Sequence, residues 1–391
     1  MSDVVIVSAK RTPIGAFQGV LSPLTAPQLG AAAAKAAIEA AGIPVSEIQE
    51  VIMGCVLPAG LGQAPARQAA LGAGIPPGTP STTINKMCGS GMKAVMMAAD
   101  QIRAGSADII LAGGMESMTN APYLLPKARS GYRLGHGEIL DHMFYDGLQS
   151  PFDGKLMGCF ADATAARYDF TRAAQDAFAT ESVRRAMQAL DAGDFDAEIT
   201  PVTVKSRKGE AVINRDETPG TCDINRIPAL KPAFGKDGTV TAASSSSISD
   251  GAAALVLMRA ATARKLGVTP LARILAYSSH AHEPEWFTTA PVGAIRKTLD
   301  QLGWQSDDAE LYEINEAFAA VTMAAMKDLA LDPARVNVGG GACALGHPIG
   351  ATGARILTTL IYALRRKGMK RGIASLCIGG GEAVATAVET L

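Results

Sequence analysis

The chain has 391 residues, of which 48% are hydrophobic and 19% are charged, and its formal net charge is −1. This length predicts two or three domains with a large buried core, and the balanced charge excludes a global attraction to nucleic acid or to an anionic membrane surface. No apolar run approaches the ~20 residues that a membrane span needs. The opening stretch MSDVVIVSAK predicts a strand and not a secretory signal.

The first region alternates short apolar strands with Ala-rich helices. DVVIVSA predicts a strand, APQLGAAAAKAAIEAAG predicts a helix that stops at Gly42, and EVIMGCVL predicts a second strand. A long helix from about Gly91 and the apolar strand ADIILAGG follow. Strands that alternate with helices predict a layered α/β architecture with parallel strands.

The middle of the chain, residues 118–247, is richer in charged residues, Gly and Pro, and it includes one long amphipathic pattern, RAAQDAFATESVRRAMQALDAG. An excursion of this length between regular regions indicates a functional insertion. The alternation of apolar strand and helix patterns resumes with SDGAAALVLMRAATARKLG. We therefore expect an N-terminal α/β half (1–117 with 248–268), an inserted loop domain (118–247) and a C-terminal α/β half (269–391).

Two distant stretches have the same pattern of Gly-rich turn, long helix, apolar strand and paired glycines. They are MCGSGMKAVMMAADQIRAGSADIILAGGMES and ALGHPIGATGARILTTLIYALRRKGMKRGIASLCIGGGEA. This self-similarity predicts an internal duplication, with two similar halves about a pseudo-twofold axis. The turns at the ends of the strands would then converge, which is where ligands bind in such folds.

Six cysteines are spread along the chain, and no two of them stand in a C-x-x-C pair, so no zinc ribbon or other metal site is expected. Without a secretory signal, we expect reduced thiols and a cytoplasmic location. The ordinary interpretation of each is a small buried hydrophobe, so a catalytic cysteine needs further evidence. They are Cys55, Cys88, Cys159, Cys222, Cys343 and Cys377.

Cys88 has such evidence, because it stands just before a helix in the sequence NKMCGSG. The positive end of the helix dipole should stabilise a thiolate there and lower its pKa. The adjacent Gly89 and Gly91 would let a substrate approach the main chain. The alternative is that Cys88 only packs.

Three further positions are candidates for chemistry. His347 lies in the matching turn GHPIG and is poised to accept a proton, although a capping or core histidine is the alternative. Cys377 ends the last apolar run before three glycines, where strand-end packing is the alternative, and N–H groups from Gly379 onward could face an oxyanion. Asn315, in YEINEAF, is either a helix N-cap or a residue that orients a water or a carbonyl.

Four short blocks, CGS, NEAF, GHP and CIG, occur in this order and resemble the signature blocks of the thiolase family. The similarity extends from SAKRTPIGAF near the start to the last strand, so it covers essentially the whole chain. The resemblance implies a duplicated α/β core with an inserted loop domain, assembled as a homotetramer that is a dimer of dimers.

The resemblance also implies catalytic roles. Cys88 matches the nucleophile that carries the acyl group as a thioester, and His347 matches the residue that activates it. Cys377 matches the acid/base that exchanges a proton with the α-carbon of the second acyl-CoA. Asn315 matches the residue that holds a water in one oxyanion hole alongside His347, and the main-chain N–H groups of Cys88 and Gly379 match the second hole.

Coenzyme A and acyl-CoA are implied as substrates, with no prosthetic group and no metal. Contacts with the pantetheine or acyl part are implied for Leu148, Met157, Phe234, Ser246, Ala317 and Phe318. The implied reaction is a ping-pong Claisen condensation of two acetyl-CoA to acetoacetyl-CoA, with thiolysis of 3-ketoacyl-CoA as its reverse. A cysteine suits the first step, because one thioester is exchanged for another.

Three other functions stay open. One is a longer-chain degradative 3-ketoacyl-CoA thiolase of fatty acid β-oxidation. Another is a condensing enzyme of the ketoacyl synthase type, which Cys377 argues against. The third is an inactive acyl-CoA-binding protein, which the four intact blocks argue against.

The chain departs from the family pattern at four places. Gly339 stands where Asn or His is common, and Leu156 stands where short-chain members have His before Met-Gly. SSSSISDG replaces GNASGLNDG, and Glu382-Ala383 replace Met-Gly or Gln-Gly. None removes a catalytic side chain. Because an apolar side chain at position 156 favours burial of substrate methylenes, we predict a broader acyl range than that of a strict acetoacetyl-CoA enzyme. The competing possibility is that QSPFDGK folds back and blocks the pocket.

Overall fold

The computed structural model describes residues 3–206 and 209–391. A ten-stranded sheet is its centre, accompanied by two small two-stranded sheets. The strands are β1 (Val4–Arg11), β2 (Gly15–Ala16), β3 (Glu50–Gly54), β4 (Ser81–Ile84), β5 (Ile109–Ser117), β6 (Tyr123–Leu124), β7 (Leu140–Asp141), β8 (Val202–Ser206), β9 (Gly209–Ile213), β10 (Ser249–Arg259), β11 (Ala272–Ala281), β12 (Leu311–Ile314), β13 (Arg371–Ile378) and β14 (Glu382–Thr390).

The α-helices of the described residues lie between these strands in the sequence, singly or in succession. They are α1 (Ala26–Ala41), α2 (Pro65–Gly72), α3 (Ser90–Ala104), α4 (Met157–Arg167), α5 (Arg172–Asp191), α6 (Ala260–Leu266), α7 (Ala290–Leu302), α8 (Ala319–Leu329), α9 (Ala342–Leu345) and α10 (Thr352–Lys367). The helix predicted to stop at Gly42 does so, with that glycine in the left-handed conformation at φ +66°. In the part of the chain that is described, no helix is long and apolar enough to cross a membrane.

The strand order of the large sheet repeats itself, which confirms the predicted duplication. The order is β12-β13-β14-β11-β1-β10-β5-β3-β4, with β2 beside β10. In one half β3 runs parallel to β5, β5 antiparallel to β10, and β10 antiparallel to β1. In the other half β12 runs parallel to β13, β13 antiparallel to β14, and β14 antiparallel to β11. β1 and β11 join the halves through two residue pairs.

The expectation of parallel strands was wrong for the middle of the sheet. Parallel pairing occurs between β3 and its two neighbours and between β12 and β13, whereas the central strands pair antiparallel. The physical reason is visible at β13 and β14, which are joined by three glycines alone. So short a connection can only reverse the chain, because a parallel neighbour needs a crossover such as α2 between β3 and β4.

Two helices lie at the centre of the molecule between the two halves of the sheet. Side chains of α3 and α10 share one core cluster with strands of both halves, such as β5 and β13. The outer faces are covered by α1 and α2 on the first half and by α7 and α8 on the second. The residues of α10 are buried on almost every side from Thr352 to Leu364, as expected of a helix enclosed in a core.

The first turns of α3 and α10 touch each other, and this contact requires glycine. A Cβ on Gly91 would lie 2.8 Å from the main-chain nitrogen of Ala354, and a Cβ on Gly353 would collide with Met92. Because the two helices approach so closely, the turns that precede them are also brought together. One of those turns contains Cys88 and the other contains His347.

Candidate active site

The turn that presents Cys88 is held by hydrogen bonds from side chains beside it. The Asn85 carboxamide oxygen accepts the N–H of Met87 at 2.9 Å. The Ser90 hydroxyl accepts the N–H of Lys86 at 2.8 Å and donates to the carbonyl of Met87 at 2.7 Å. These bonds hold Met87 in the left-handed region at φ +46°, a conformation that costs about 1 kcal/mol or more outside glycine. The strained turn places Cys88 directly before Gly89, the N-cap residue of α3.

The thiol of Cys88 does not have the lowered pKa that its place before a helix predicted. Its sulfur packs against an apolar cluster that includes Met118 and Ile349. Burial raises the pKa of the Cys88 thiol to about 11, and the N–H groups of Gly379 and of Cys88 itself oppose that rise. The prediction was wrong because loss of water outweighs the helix dipole. The two N–H groups do face the sulfur.

His347 is buried and presents one nitrogen without a partner. The Thr352 hydroxyl donates to the Pro348 carbonyl at 2.9 Å, so it accepts Nδ1–H of His347 at 2.6 Å. Nε2 then carries no proton, and it has no hydrogen-bond partner among the residues that the structure describes. Burial, and secondarily the charge of Arg355, lower the pKa of His347 to about 3. The imidazole is therefore a neutral base over the physiological pH range.

Cys377 lies next to Cys88 at the end of β13. It is fully buried, and burial raises the pKa of its thiol well above the ordinary value, with the nearby Cys88 as the next cause. Gly379 follows, and its N–H faces the Cys88 sulfur. Gly380 and Gly381 have φ of +98° and +91°, which glycine adopts without strain. The first and last signature blocks thus form one cluster.

Asn315 is not the N-cap of the helix that follows it. α8 begins at Ala319 with Phe318 as its N-cap, whereas Asn315 directly follows β12. Asn315 is 1% exposed, and within residues 3–206 and 209–391 neither the oxygen nor the nitrogen of its carboxamide has a hydrogen-bond partner. Leaving such groups unpaired costs about 1–3 kcal/mol. The unpaired carboxamide is suited to holding a water or a substrate oxygen.

An apolar cavity of about 350 Å³ opens beside His347 and the clusters in which Cys88 and Cys377 pack. His347 lines it, together with five of the six residues expected to contact coenzyme A, which are Leu148, Met157, Phe234, Ser246 and Phe318. The sixth, Ala317, is not part of the lining and instead accepts the N–H of Ser246 at 3.0 Å. Met157, Phe234 and Phe318 also pack in the cluster that contains Cys377. The cavity therefore adjoins the reactive cluster.

The stretch QSPFDGK does not block this cavity. Gln149 and Leu156 pair as an isolated bridge, and the N–H of Ser150 donates to the carbonyl of Lys155 at 2.8 Å. The loop closes on itself and leaves Phe152 70% exposed. Leu156 is on the cavity wall, so the competing possibility of a blocked pocket was wrong.

Sequence reasoning missed Glu116, which joins three segments around the site. Its buried carboxylate accepts the N–H groups of Val56 at 3.0 Å, Leu57 at 3.1 Å and Gly350 at 2.8 Å. Burial raises the pKa of Glu116 to about 7. The available signal was an acid directly after the apolar strand, in AGGMES. A carboxylate at that place is unusual for a core position.

Glu316, within NEAF, was likewise missed. It is 1% exposed and accepts hydrogen bonds from the Ser182 hydroxyl at 2.6 Å, the Asn337 carboxamide at 2.9 Å and the N–H of Cys343 at 3.1 Å. Burial raises its pKa. The residue fixes the segment after Asn315 against α5 and the start of α9.

Comparison with known proteins identifies the family of this chain. The family description "Thiolase, N-terminal domain" matches residues 4–261, and "Thiolase, C-terminal domain" matches residues 268–390. The chain therefore belongs to the thiolase family, as its signature blocks predicted.

Individual relatives are similar over their whole length. The acetyl-CoA acetyltransferase of Pseudomonas aeruginosa is 50% identical over 388 residues, covering 98% of each chain. The crystal structure of the Bacillus anthracis acetyl-CoA acetyltransferase superposes with a TM-score of 0.98 at 44% identity, over 100% of this chain and 99% of that one. The Acat5 thiolase from Ascaris suum, solved in complex with coenzyme A, gives a TM-score of 0.94 at 43% identity over 100% of both chains.

Proposed function

We propose that this chain is an acetyl-CoA acetyltransferase, which joins two acetyl-CoA into acetoacetyl-CoA and free CoA and also runs the reverse thiolysis. One observation carries the proposal. Two thiols, the N–H of Gly379 and the neutral imidazole of His347 are gathered from opposite halves of the chain beside an apolar cavity. The full-length relatives named acetyl-CoA acetyltransferase support this activity over the longer-chain and inactive alternatives.

In the first half-reaction, the Cys88 sulfur attacks the thioester carbon of acetyl-CoA while its proton passes to Nε2 of His347. The N–H groups of Cys88 and Gly379 stabilise the oxyanion that forms, and each such donor is worth about 3 kcal/mol. The carbon–sulfur bond to CoA then breaks, and the leaving thiolate takes the proton of Cys377. Acetyl-Cys88, free CoA, the His347 imidazolium and the Cys377 thiolate result.

In the second half-reaction, the Cys377 thiolate removes an α-proton from a second acetyl-CoA. His347, through Nε2, and a water held by Asn315 stabilise the enolate oxygen, which gives a role to the Nε2 atom and the carboxamide, both of which lack a hydrogen-bond partner among the described residues. The enolate carbon attacks acetyl-Cys88, forming the new carbon–carbon bond and releasing the Cys88 sulfur. That sulfur regains its proton from His347, so every group returns to its starting state.

The acyl carrier is the direct test of this proposal. We expect incubation with acetyl-CoA and a rapid acid quench to add one acetyl group to the peptide containing Cys88. Cys88→Ala should abolish both that label and thiolysis of acetoacetyl-CoA, whereas Cys159→Ala should retain both. An acetyl group on Cys377, or on no cysteine, would refute the assignment.

The proposal includes coenzyme A as substrate, with its pantetheine arm along Leu148, Met157, Phe234, Ser246 and Phe318. The cavity that these residues line supports this path, as does the coenzyme A complex of the Ascaris suum relative. We also propose that the chain has three domains, formed by residues 1–117 with 248–268, by residues 118–247 and by residues 269–391. The location that we propose is cytoplasmic.

We also propose the homotetramer implied by the family resemblance. The segment that contains β6 and β7 supports it by exposing apolar side chains, among them Tyr123 at 68%, Leu134 at 96% and Ile139 at 66%. Exposed apolar patches of this kind mark association surfaces. Leu134→Glu should shift the sedimentation equilibrium from tetramer towards dimer, and an unchanged tetramer would count against this surface.

A further inference from the structure

Lys86 and Glu382 form an ion pair that connects the two halves of the candidate active site. Lys86 stands two residues before Cys88, and Glu382 is the first residue of β14, directly after the run Gly379–Gly381. Their side chains are 27% and 34% exposed. We propose that this pair is a clamp that sets the position of the Gly379 N–H relative to the Cys88 sulfur. The inference rests on the proposed function.

Main-chain contacts make Lys86 part of the cysteine turn itself. Its N–H donates to the Ser90 hydroxyl at 2.8 Å, and its carbonyl accepts the N–H of Gly89 at 3.0 Å. A shift of Lys86 therefore moves the turn that carries Cys88. The side chain reaches out of this turn towards the other half of the molecule.

Glu382, on the other side of the ion pair, is held in the large sheet by its pairing with two neighbouring strands. It pairs with Ile378 of β13 and with Ala281 of β11. The chain between Ile378 and Glu382 consists of three glycines, which offer little rigidity of their own. The ion pair thus bridges across the glycine segment that supplies the Gly379 N–H.

The turn that carries Cys88 and the end of β13 are also in direct contact, with no space for an added side chain. A Cβ on Gly89 would collide with the side chain of Ile378. Packing therefore prevents the turns from coming closer, and the ion pair prevents them from separating. Displacements of about 1 Å in such a geometry reduce rates by up to 10²-fold, whereas an ion pair that is about one-third exposed contributes little to stability. The clamp should therefore affect turnover more than folding.

Neutral substitutions test the clamp. We expect Lys86→Met, Glu382→Gln and the double variant each to lower kcat for thiolysis of acetoacetyl-CoA by five- to twentyfold. KM should stay within twofold and the melting temperature should be unchanged. The losses should not add in the double variant, because either substitution removes the same contact. The charge-swapped variant Lys86→Glu/Glu382→Lys should regain at least half of the lost kcat.

Alkylation of Cys88 is a second measurement, and it does not require turnover. It distinguishes a change in the position of the Gly379 N–H from an effect of the two charges through space. The rate of Cys88 alkylation by iodoacetamide at fixed pH should fall severalfold in both single variants, because each displaces the N–H that stabilises the thiolate. If the charges instead acted through space, Lys86→Met would slow alkylation and Glu382→Gln would accelerate it. Opposite changes of that kind would overturn the clamp.

Asp108→Asn is the matched control, because it breaks the remote Arg259–Asp108 pair, whose side chains are 25% and 48% exposed. It should leave kcat and alkylation at the wild-type values. A kcat within twofold of the wild type in the double Lys86/Glu382 variant would also overturn the inference. Failure of the wild type to form acetyl-Cys88 would instead refute the proposed function, while the alkylation series would still decide the clamp.

Discussion

At the scale of single residues, burial keeps the reactive groups neutral before substrate arrives. It lowers the pKa of His347 to about 3 and raises that of Cys88 to about 11, while the pKa of Cys377 lies well above the ordinary value. A neutral base beside two neutral thiols avoids the cost of isolated buried charges. These groups therefore become charged only during acyl transfer, when the N–H donors that face the oxyanion can stabilise the charge.

His347 should be needed for acylation and should not titrate near neutral pH. A base whose pKa is lowered to about 3 stays unprotonated as the pH falls from 8 to 5, so the rate of Cys88 acylation should show no inflection near 6.5. His347→Ala should slow acylation by about 10²–10⁴-fold, measured by quench and mass spectrometry. The exposed His136 is the control, and His136→Ala should acylate normally. An inflection near 6.5 that disappears in His347→Ala would contradict this environment.

Cys377 should be required for carbon chemistry more than for acyl transfer. Cys377→Ala should still accumulate acetyl-Cys88, though more slowly, because the CoA leaving group loses its proton donor. Exchange of the acetyl-CoA α-protons with deuterated solvent should fall by about 10²–10⁴-fold, as measured by NMR. Cys222→Ala, which removes a thiol outside the cluster, should exchange at the wild-type rate. Normal exchange in Cys377→Ala would exclude the role.

At the scale of elements, the loop before α4 defines the acyl end of the cavity. Leu156 is the N-cap residue of α4 and also pairs with Gln149, so the closed loop fixes its side chain on the cavity wall. Residues of the π-helix Met143–Leu148, Phe144 and Leu148 among them, complete the wall from the same inserted region. Acyl preference is therefore a property of this region, separate from the cysteine cluster.

We predict that this wall extends the acyl range by one or two carbons. Each methylene buried against it gains about 0.8 kcal/mol, so 3-ketohexanoyl-CoA should exceed acetoacetyl-CoA by up to about tenfold in kcat/KM. Leu156→His should reverse that order, and Leu71→His, on the exposed side of α2, should not. Thiolysis measured with both substrates decides the point. A steep fall with the longer substrate that Leu156→Ala does not relieve would contradict the prediction.

At the scale of the whole molecule, a buried cation attaches the inserted region to the first strand. Arg11, the last residue of β1, is fully buried and donates to Glu198 at 2.5 Å and to Asp216 at 2.7 and 3.0 Å. Both acids follow α5, and the Arg11 guanidinium lies 5.1 Å from the centre of the Phe195 ring. All three charged side chains are buried, so water does not screen them, and their ion pairs anchor the inserted region on the sheet.

Removing this cation should destabilise the protein strongly. Arg11→Leu leaves two buried carboxylates unpaired, which should cost about 3–5 kcal/mol of unfolding free energy, measured by urea denaturation. Arg273→Leu also breaks two ion pairs, with Asp3 and Glu389, but at a side chain that is 37% exposed, and it should cost at most about 1 kcal/mol. Equal losses in the two variants would mean that the buried network does not anchor the inserted region.

Much of the architecture was predictable because its signals are local. Alternating apolar runs and Ala-rich stretches indicated β1, α1 and β5, and the glycine after α1 indicated where that helix ends. Similarity of two distant stretches indicated the repeated half-sheets. Strand direction in the centre was not predictable in this way, since it depends on how short each connection is and on which edge the next strand reaches.

The sequence by itself indicated which residues we propose to carry the chemistry and in what order they occur, because Cys88, Asn315, His347 and Cys377 each stand in a recognisable local motif. The tertiary structure alone decided their chemical state. The Cys88 motif predicted a lowered pKa and the fold gives a raised one, since desolvation depends on every segment packed around the sulfur. Likewise, the Lys86–Glu382 contact joins residues almost three hundred positions apart, and no local pattern encodes a contact that exists only after both halves have packed together.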